Sequence, residues 1–179
     1  MYTIYKDLFN VSHDVLNNIK SYTADGGPIF NNIDNDKKRI QYDVSGKLKR
    51  EIETILQEYV DSLGYGGVVN DVVILKSLPF CKRQQTHCDY DKKILDNLNV
   101  EDYPYGMIVA LDDNTRFIVY PDKNTKKYLR LNRGDILIFR GDLLHAGSEY
   151  YVQNIRLHAY IDVPKYKRLP NMTYYANEE

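Results

Sequence analysis

The sequence predicts an α+β chain that is mainly β. Three observations carry this: one long amphipathic helix in the first half, a change after Asn70 to short apolar or alternating runs, and turn-rich separators recurring between those runs. At 179 residues the chain suffices for one domain with a sizeable core and is short for two. Residues 1–70 are expected to form a helical and loop support, residues 71–163 a β-rich core, and residues 164–179 a surface tail that frays.

Residues 1–10 read as an edge strand or an irregular lead-in. Ser12 offers a side-chain cap to a short helix running to Ile19. The turn signal Asp25-Gly26-Gly27-Pro28 ends that region. Ile29 and Phe30 then open a polar loop through Asn31, Asn32, Asp34 and Asn35, fit to cover a site. Lys37-Lys38-Arg39 ahead of Ile40-Gln41-Tyr42-Asp43 reads as a strand entered through a solvated basic edge. From 47 to 63, Leu48, Ile52, Ile55, Leu56, Tyr59, Val60 and Leu63 recur at three- and four-residue spacing, which predicts an amphipathic helix. Gly64-Tyr65-Gly66-Gly67 stops it.

Strands are expected at 72–78, 84–90, 105–111, 116–120, 128–131, 136–139 and 155–163. They are separated by Pro79, Asp112-Asp113-Asn114, Pro121-Asp122-Lys123-Asn124 and Arg133-Gly134-Asp135, a spacing that argues for a sandwich or barrel. Residues 91–103 form a charged insert, either a partial helix around Ile94-Leu95 or a mobile flap. The stretch 131–162 looks like a hairpin whose strand pattern is broken between 141 and 148. On its return strand Ile155, Leu157, Ala159 and Ile161 make one face, while Arg156, His158 and Tyr160 make the other. The helix at 47–63 is expected to cover the dry face, turning the polar one into the interior. An arginine there needs a carboxylate to meet it.

A net charge of −1 gives no global electrostatic case for nucleic acid. Two cysteines, Cys81 and Cys88, do not make a disulfide framework, and no run approaches the roughly 18 apolar residues of a membrane span. The expectation is a soluble, cytoplasmic or otherwise intracellular protein without a membrane partner. Seventeen tyrosines supply phenol groups for a polar cavity without identifying a ligand. His13 reads as a solvent-facing helix residue.

The chemistry concentrates at His87, Asp89 and His145. In an extended segment His87 and Asp89 project to one side and Cys88, a packing residue, to the other. An imidazole and a carboxylate offered together, joined by a distant second imidazole, make the two-His-one-carboxylate triad of non-haem iron sites. These three are the candidate metal ligands and catalytic residues.

The ordered pattern His87-x-Asp89, then His145, then Arg156 resembles the Fe(II)- and 2-oxoglutarate-dependent dioxygenases, over a little more than half the chain. Asp112-Asp113-Asn114-Thr115-Arg116-Phe117 sits where that family places the turn before an inner strand. Gly134-Asp135-Ile136-Leu137-Ile138-Phe139 looks like the strand leading to its distal histidine. The resemblance implies a double-stranded β-helix, or jelly roll, at 71–163 with helices packed on one sheet. It also implies Fe(II), with 2-oxoglutarate and O2 as co-substrates. Fe(II) would be held by His87, Asp89 and His145, and the far carboxylate of 2-oxoglutarate by Arg156. The implied reaction couples oxidative decarboxylation of 2-oxoglutarate to hydroxylation of a protein side chain or small molecule.

His158 stands where plant-type members often carry a serine that touches the co-substrate. Tyr105 and Tyr120 are further co-substrate contacts expected from strand position, and Arg116, Arg140 and Tyr90 are substrate contacts expected near the mouth. Asp162 stands where the nucleic-acid-demethylating branch carries a second arginine, and collagen-type prolyl hydroxylases commonly carry lysine at the place of Arg156. Two other readings stay open. One is a nucleic-acid-modifying oxygenase, favoured if Lys37, Lys38, Arg39, Arg116 and Arg140 converge around the opening. The other is a non-catalytic jelly-roll metal-binding module.

Overall fold

The computed structural model describes residues 1–28, 36–122, 125–169 and 172–175. The polar loop at 29–35 and the Lys123-Asn124 turn therefore lie outside the described residues, as do Pro170 and the last four positions. Strands are β1 (Tyr2–Tyr5), β2 (Gly26–Pro28), β3 (Arg39–Asp43), β4 (Val68–Ser77), β5 (His87–Cys88), β6 (Tyr105–Ala110), β7 (Thr115–Asp122), β8 (Thr125–Leu131), β9 (Ile136–Arg140), β10 (Leu144–Gly147), β11 (Asn154–Asp162) and β12 (Tyr174–Tyr175). Helices are α1 (His13–Ser21), α2 (Gly46–Ser62) and the single turn α3 (Lys92–Leu95). The strands form two antiparallel sheets, one ordered β1-β9-β6-β11-β4-β3-β2 and the other β12-β5-β10-β7-β8.

Strand alternation divides the interior into two layers. On β6, Met107 and Val109 join Ile136 and Ile138 of β9, and Leu157, Ala159 and Ile161 of β11, in one buried cluster. Ile52, Leu56 and Val60 of α2, one helical turn apart, belong to the same cluster and are 0–1 % exposed. Burial of each such side chain stabilises the fold by about 1.5–3 kcal/mol. The alternate positions, Ile108, Ala110, Leu137 and Phe139, meet Phe117, Val119 and Leu131 of the smaller sheet, so the two sheets pack on each other. Ser12 caps α1, its hydroxyl accepting the Val15 N–H at 3.3 Å. Gly64, at φ +77°, gives α2 the left-handed exit that other residues avoid. Among the described residues no helix is long and apolar enough to cross a membrane.

Three expectations change. The 131–162 stretch is not a hairpin: β9 pairs with β6 and β1, β11 pairs with β6 and β4, and between them the chain crosses to the smaller sheet. There residues 144–147, expected to break the pattern, form β10 between β7 and β5. Only His87–Cys88 of the expected 84–90 strand is a strand. Gln84 instead exchanges hydrogen bonds with Gly147, its N–H donating to the carbonyl and its Oε1 accepting the N–H, both at 2.9 Å. In the insert, α3 buries Leu95 completely against Tyr90, Tyr103, Tyr160 and Tyr166, so the partial-helix alternative holds.

The tail is also anchored rather than frayed over its described part. Tyr166 is buried, β12 pairs with β5, and the Arg168 side chain, 3 % exposed, reaches the carboxylates of Asp71 and Asp162 across the Tyr160 ring. Arg168→Ala should therefore lower stability by about 2 kcal/mol, the partly exposed carboxylates holding the loss below that of a sealed pair. Urea unfolding followed by circular dichroism measures it, and a midpoint unchanged from wild type would assign the tail no structural role.

Candidate metal and anion site

β5 and β10 are neighbours, and their register sets His145 directly opposite His87. Asp89 follows two residues after His87. One nitrogen from each imidazole and one Asp89 oxygen lie within 4.8 Å of one another, and all three residues are buried. His145 Nε2 stands 3.6 Å from Asp89 Oδ1, and the two imidazole rings are 4.5 Å apart.

The ring orientations are fixed from behind. His87 Nδ1 donates to the Gln85 carbonyl at 2.7 Å, and His145 Nδ1 donates to the Leu143 carbonyl at 2.9 Å. A carbonyl only accepts, so each Nδ1 carries the proton and each Nε2 presents a lone pair, the tautomer a metal ligand needs. His145 is further held by Phe117, stacked at 5.0 Å, and by the edge of Phe139 at 4.7 Å. Burial and the neighbouring His145 pull His87 down to about 4, which keeps it neutral near pH 7. Burial works against the charged Asp89 carboxylate, but His145 and His158 outweigh it and hold Asp89 well below the usual carboxylate range. A buried anion facing two imidazole lone pairs is a donor set that fits a divalent transition metal.

The other oxygen of Asp89 faces β11. His158 Nε2 is 3.2 Å from Asp89 Oδ2, and neither atom makes an aligned hydrogen bond. Gly106 makes room here: a Cβ would fall 3.1 Å from Asp89 Oδ2 and 2.4 Å from Phe139 Cζ.

These groups open on a cavity of about 560 Å³ lined also by Leu75, Ile108, Gln84, Gly147 and Arg156. Arg156 is 1 % exposed. Its Nη1 donates to Ser77 Oγ at 3.0 Å, and its Nη2 is buried with no hydrogen-bond partner. No carboxylate meets it among the described residues, so the interior charge awaits an acceptor. Asp25, Asp36, Lys37 and Asp43 line the same cavity.

The remaining expected contacts are turned away. Tyr105 shares the helix-side face of β6 and packs its ring against Tyr65 at 4.9 Å. Tyr120 sits opposite Leu144, one position off the inward alternation of Phe117 and Val119. Arg116 is exposed on that outer face opposite Arg130. Arg140 is held by both oxygens of Asp142, at 2.6 and 2.8 Å, with its guanidinium over Tyr103. Tyr90 is fully buried, donating to Asp162 and to the Tyr105 carbonyl. None of the five lines the cavity.

Nor do the basic residues converge around the opening, since Arg39 is buried and Arg116 and Arg140 are elsewhere. Arg39 was expected at a solvated edge and is 0 % exposed. Alternation could have found it: Tyr42 packs with the helix-side cluster, so Arg39, Gln41 and Asp43 face the other way, and two of those three line the cavity. Burial and the adjacent Arg156 pull Arg39 down to about 10, leaving it charged near neutrality. His13 and Cys88 lie outside the site: His13 is exposed and bonded to Asn17, and the Cys88 thiol donates to the Tyr90 carbonyl.

No family model matches the sequence, and comparison with curated proteins finds no match. Solved structures do match. A prolyl hydroxylase from Trichoplax adhaerens, in complex with a hypoxia inducible factor oxygen degradation domain peptide, is 15% identical with a TM-score of 0.65, covering 92% of this chain and 84% of that one. A non-haem alpha-ketoglutarate-dependent epimerase from nogalamycin biosynthesis is 10% identical at 0.63, covering 90% and 76%. A 2OG-Fe(II) oxygenase family oxidoreductase from Burkholderia pseudomallei is 13% identical at 0.61, covering 95% and 87%. At such identities the likeness is one of fold: this chain has the fold of 2-oxoglutarate-dependent oxygenases.

Proposed function

We propose that the chain is an Fe(II)- and 2-oxoglutarate-dependent dioxygenase whose β-core is a double-stranded β-helix. The observation that carries this reading is one cavity holding both a buried His-Asp-His donor set and a buried, carboxylate-free arginine. Fe(II) would be held by His87 Nε2, His145 Nε2 and Asp89, and the far carboxylate of 2-oxoglutarate by Arg156, whose Nη2 supplies an unused donor. When bound, the metal supplies the oxygen chemistry that couples 2-oxoglutarate decarboxylation to oxidation of the substrate.

The protein's own part is positional. The Gln85 and Leu143 carbonyls keep both imidazoles in the ligating tautomer, and Phe117 and Phe139 stop His145 from turning. Leu75, Ile108 and Phe117 add apolar wall to the cavity that the metal donors and Arg156 share. His158 Nε2 stands 3.2 Å from the second oxygen of Asp89, on the side away from the oxygen nearest His145.

The substrate is a protein side chain or a small molecule. The fold serves both, since one neighbour holds a peptide and another is an epimerase from nogalamycin biosynthesis. The acidic residues Asp25, Asp36 and Asp43 along the cavity disfavour a nucleic-acid backbone.

Succinate formation from 2-oxoglutarate with Fe(II) and O2, compared between wild type and His87→Ala, tests the reading. Bound iron without any succinate, with or without candidate substrates, would favour the metal-binding module instead. His158→Ala should weaken Fe(II) about tenfold, the lower end of the loss seen when a partner behind a metal ligand is removed. Anaerobic titration measures this, and unchanged affinity would remove His158 from the metal centre.

A further inference from the structure

Behind Arg156 lies a second buried cation. Arg39 comes from β3, far from the metal donors in sequence, and its Nη1 donates to Ser77 Oγ at 3.1 Å. The same oxygen accepts from Arg156 Nη1 at 3.0 Å, so one hydroxyl joins two guanidiniums. Both stand near one face-presenting ring, Tyr150, at 5.9 and 5.4 Å from its centroid. The other end of Arg39 is tied down, with Nη2 donating to the carbonyls of Ser148 at 2.6 Å and Lys82 at 3.0 Å.

The arrangement has donors in excess. A hydroxyl oxygen accepts about two hydrogen bonds, and the two arginines use both, which leaves the Ser77 proton with no acceptor among the described residues. Arg39 Nε and Arg156 Nη2 are likewise buried without partners. None of the ion pairs among the described residues includes either arginine. Two like charges sealed in one pocket repel and are poorly solvated, a state that a bound anion relieves.

We propose that Arg39 is a positioning residue of the co-substrate pocket: it fixes Ser77 and Arg156 and adds the second charge that makes the pocket select a dicarboxylate over a monocarboxylate 2-oxo acid. The inference rests on the 2-oxoglutarate reading above. Arg39 acts from behind, because Gly147 and Gln84 line the cavity in front of it and a Cβ on Gly147 would fall 2.8 Å from Arg39 Nη1. Arg156 makes the direct contact. The charge of Arg39 raises the potential at the far carboxylate and leaves the 2-oxo acid end, at the metal, unaffected.

Anaerobic calorimetry on the Fe(II)-loaded protein tests this with two ligands, 2-oxoglutarate and 2-oxopentanoate, which has the same carbon chain and lacks the second carboxylate. Arg39→Gln should raise the Kd of 2-oxoglutarate about tenfold and change that of 2-oxopentanoate less than about twofold, while Arg39→Lys, keeping the charge, stays within about threefold of wild type for both. Equal losses for the two ligands, or none for 2-oxoglutarate, would overturn the assignment. Should Arg39→Gln not fold, Ser77→Ala carries the test. It should weaken 2-oxoglutarate about threefold or more and spare 2-oxopentanoate, and unchanged 2-oxoglutarate binding overturns the proposal. Wild type that binds no 2-oxoglutarate sinks the functional reading and this inference together, whereas wild-type binding with an unaffected Arg39→Gln sinks this inference alone.

Discussion

His145→Ala should lower Fe(II) affinity more than about a hundredfold, beyond what loss of an outer partner costs, and abolish succinate formation. The reason lies in the donor count. The described site offers two imidazole nitrogens and one carboxylate, and no other cluster of potential ligands forms among the described residues. Without His145 only His87 and Asp89 remain, a pair that water must complete at the bottom of a cavity walled by Leu75, Ile108 and Phe117. The deletion also removes the partner of Phe117 and Phe139, so a fold control is needed. His145→Gln fills much of the same volume with an amide that binds metal poorly. Anaerobic titration of both variants should show the loss, with thermal unfolding close to wild type for the glutamine variant. Equal iron affinity in wild type and His145→Gln would dismiss the metal centre as drawn.

How much of this was legible in the sequence depended on how far each signal reached along the chain. The α2 periodicity spans many residues, and its buried positions Ile52, Leu56 and Val60 are among those the spacing picked out. Alternation on β11 likewise separates Leu157, Ala159 and Ile161 from Arg156, even though a register shift follows His158. β10 was hidden because four residues, Leu-His-Ala-Gly, carry too little pattern, and its two neighbours come from remote segments. Missing β10 turned a crossing between sheets into a supposed hairpin.

Side-chain direction failed where position on a strand was used without its face. Tyr105 and Tyr120 lie on strands next to the cavity and point out of it. Arg39 shows the opposite error: a basic run suggests solvent, yet its last member is buried, and the hydroxyl that receives it lies 38 residues away. Nothing local reports that contact. Arg140 and Arg168 are likewise explained by carboxylates: Asp142 and Asp162 lie near them in sequence, whereas Asp71, the other partner of Arg168, comes from remote β4.

Arg156→Ala should separate co-substrate binding from metal binding. The guanidinium is buried, its Nη2 has no hydrogen-bond partner, and Arg156 lines the same cavity as the metal donors. Two charge-assisted hydrogen bonds to a carboxylate, each worth about 1.5–3 kcal/mol, set the scale of the loss at about a hundredfold or more in the Kd of 2-oxoglutarate. Fe(II) affinity should stay within about twofold of wild type, because Arg156 bonds to Ser77 and Asn154 and touches none of the three donors. Arg156→Lys should recover only part of the loss, since an ammonium offers a point charge where the carboxylate meets a fork. Residual binding in Arg156→Ala is expected to fall further when Arg39 is also neutralised, for the two cations share one acceptor and one pocket. Calorimetry with Fe(II) held saturating reads the first loss and metal titration reads the second. Iron lost in parallel with 2-oxoglutarate would mean that Arg156 supports the fold of the metal site and does not receive the co-substrate.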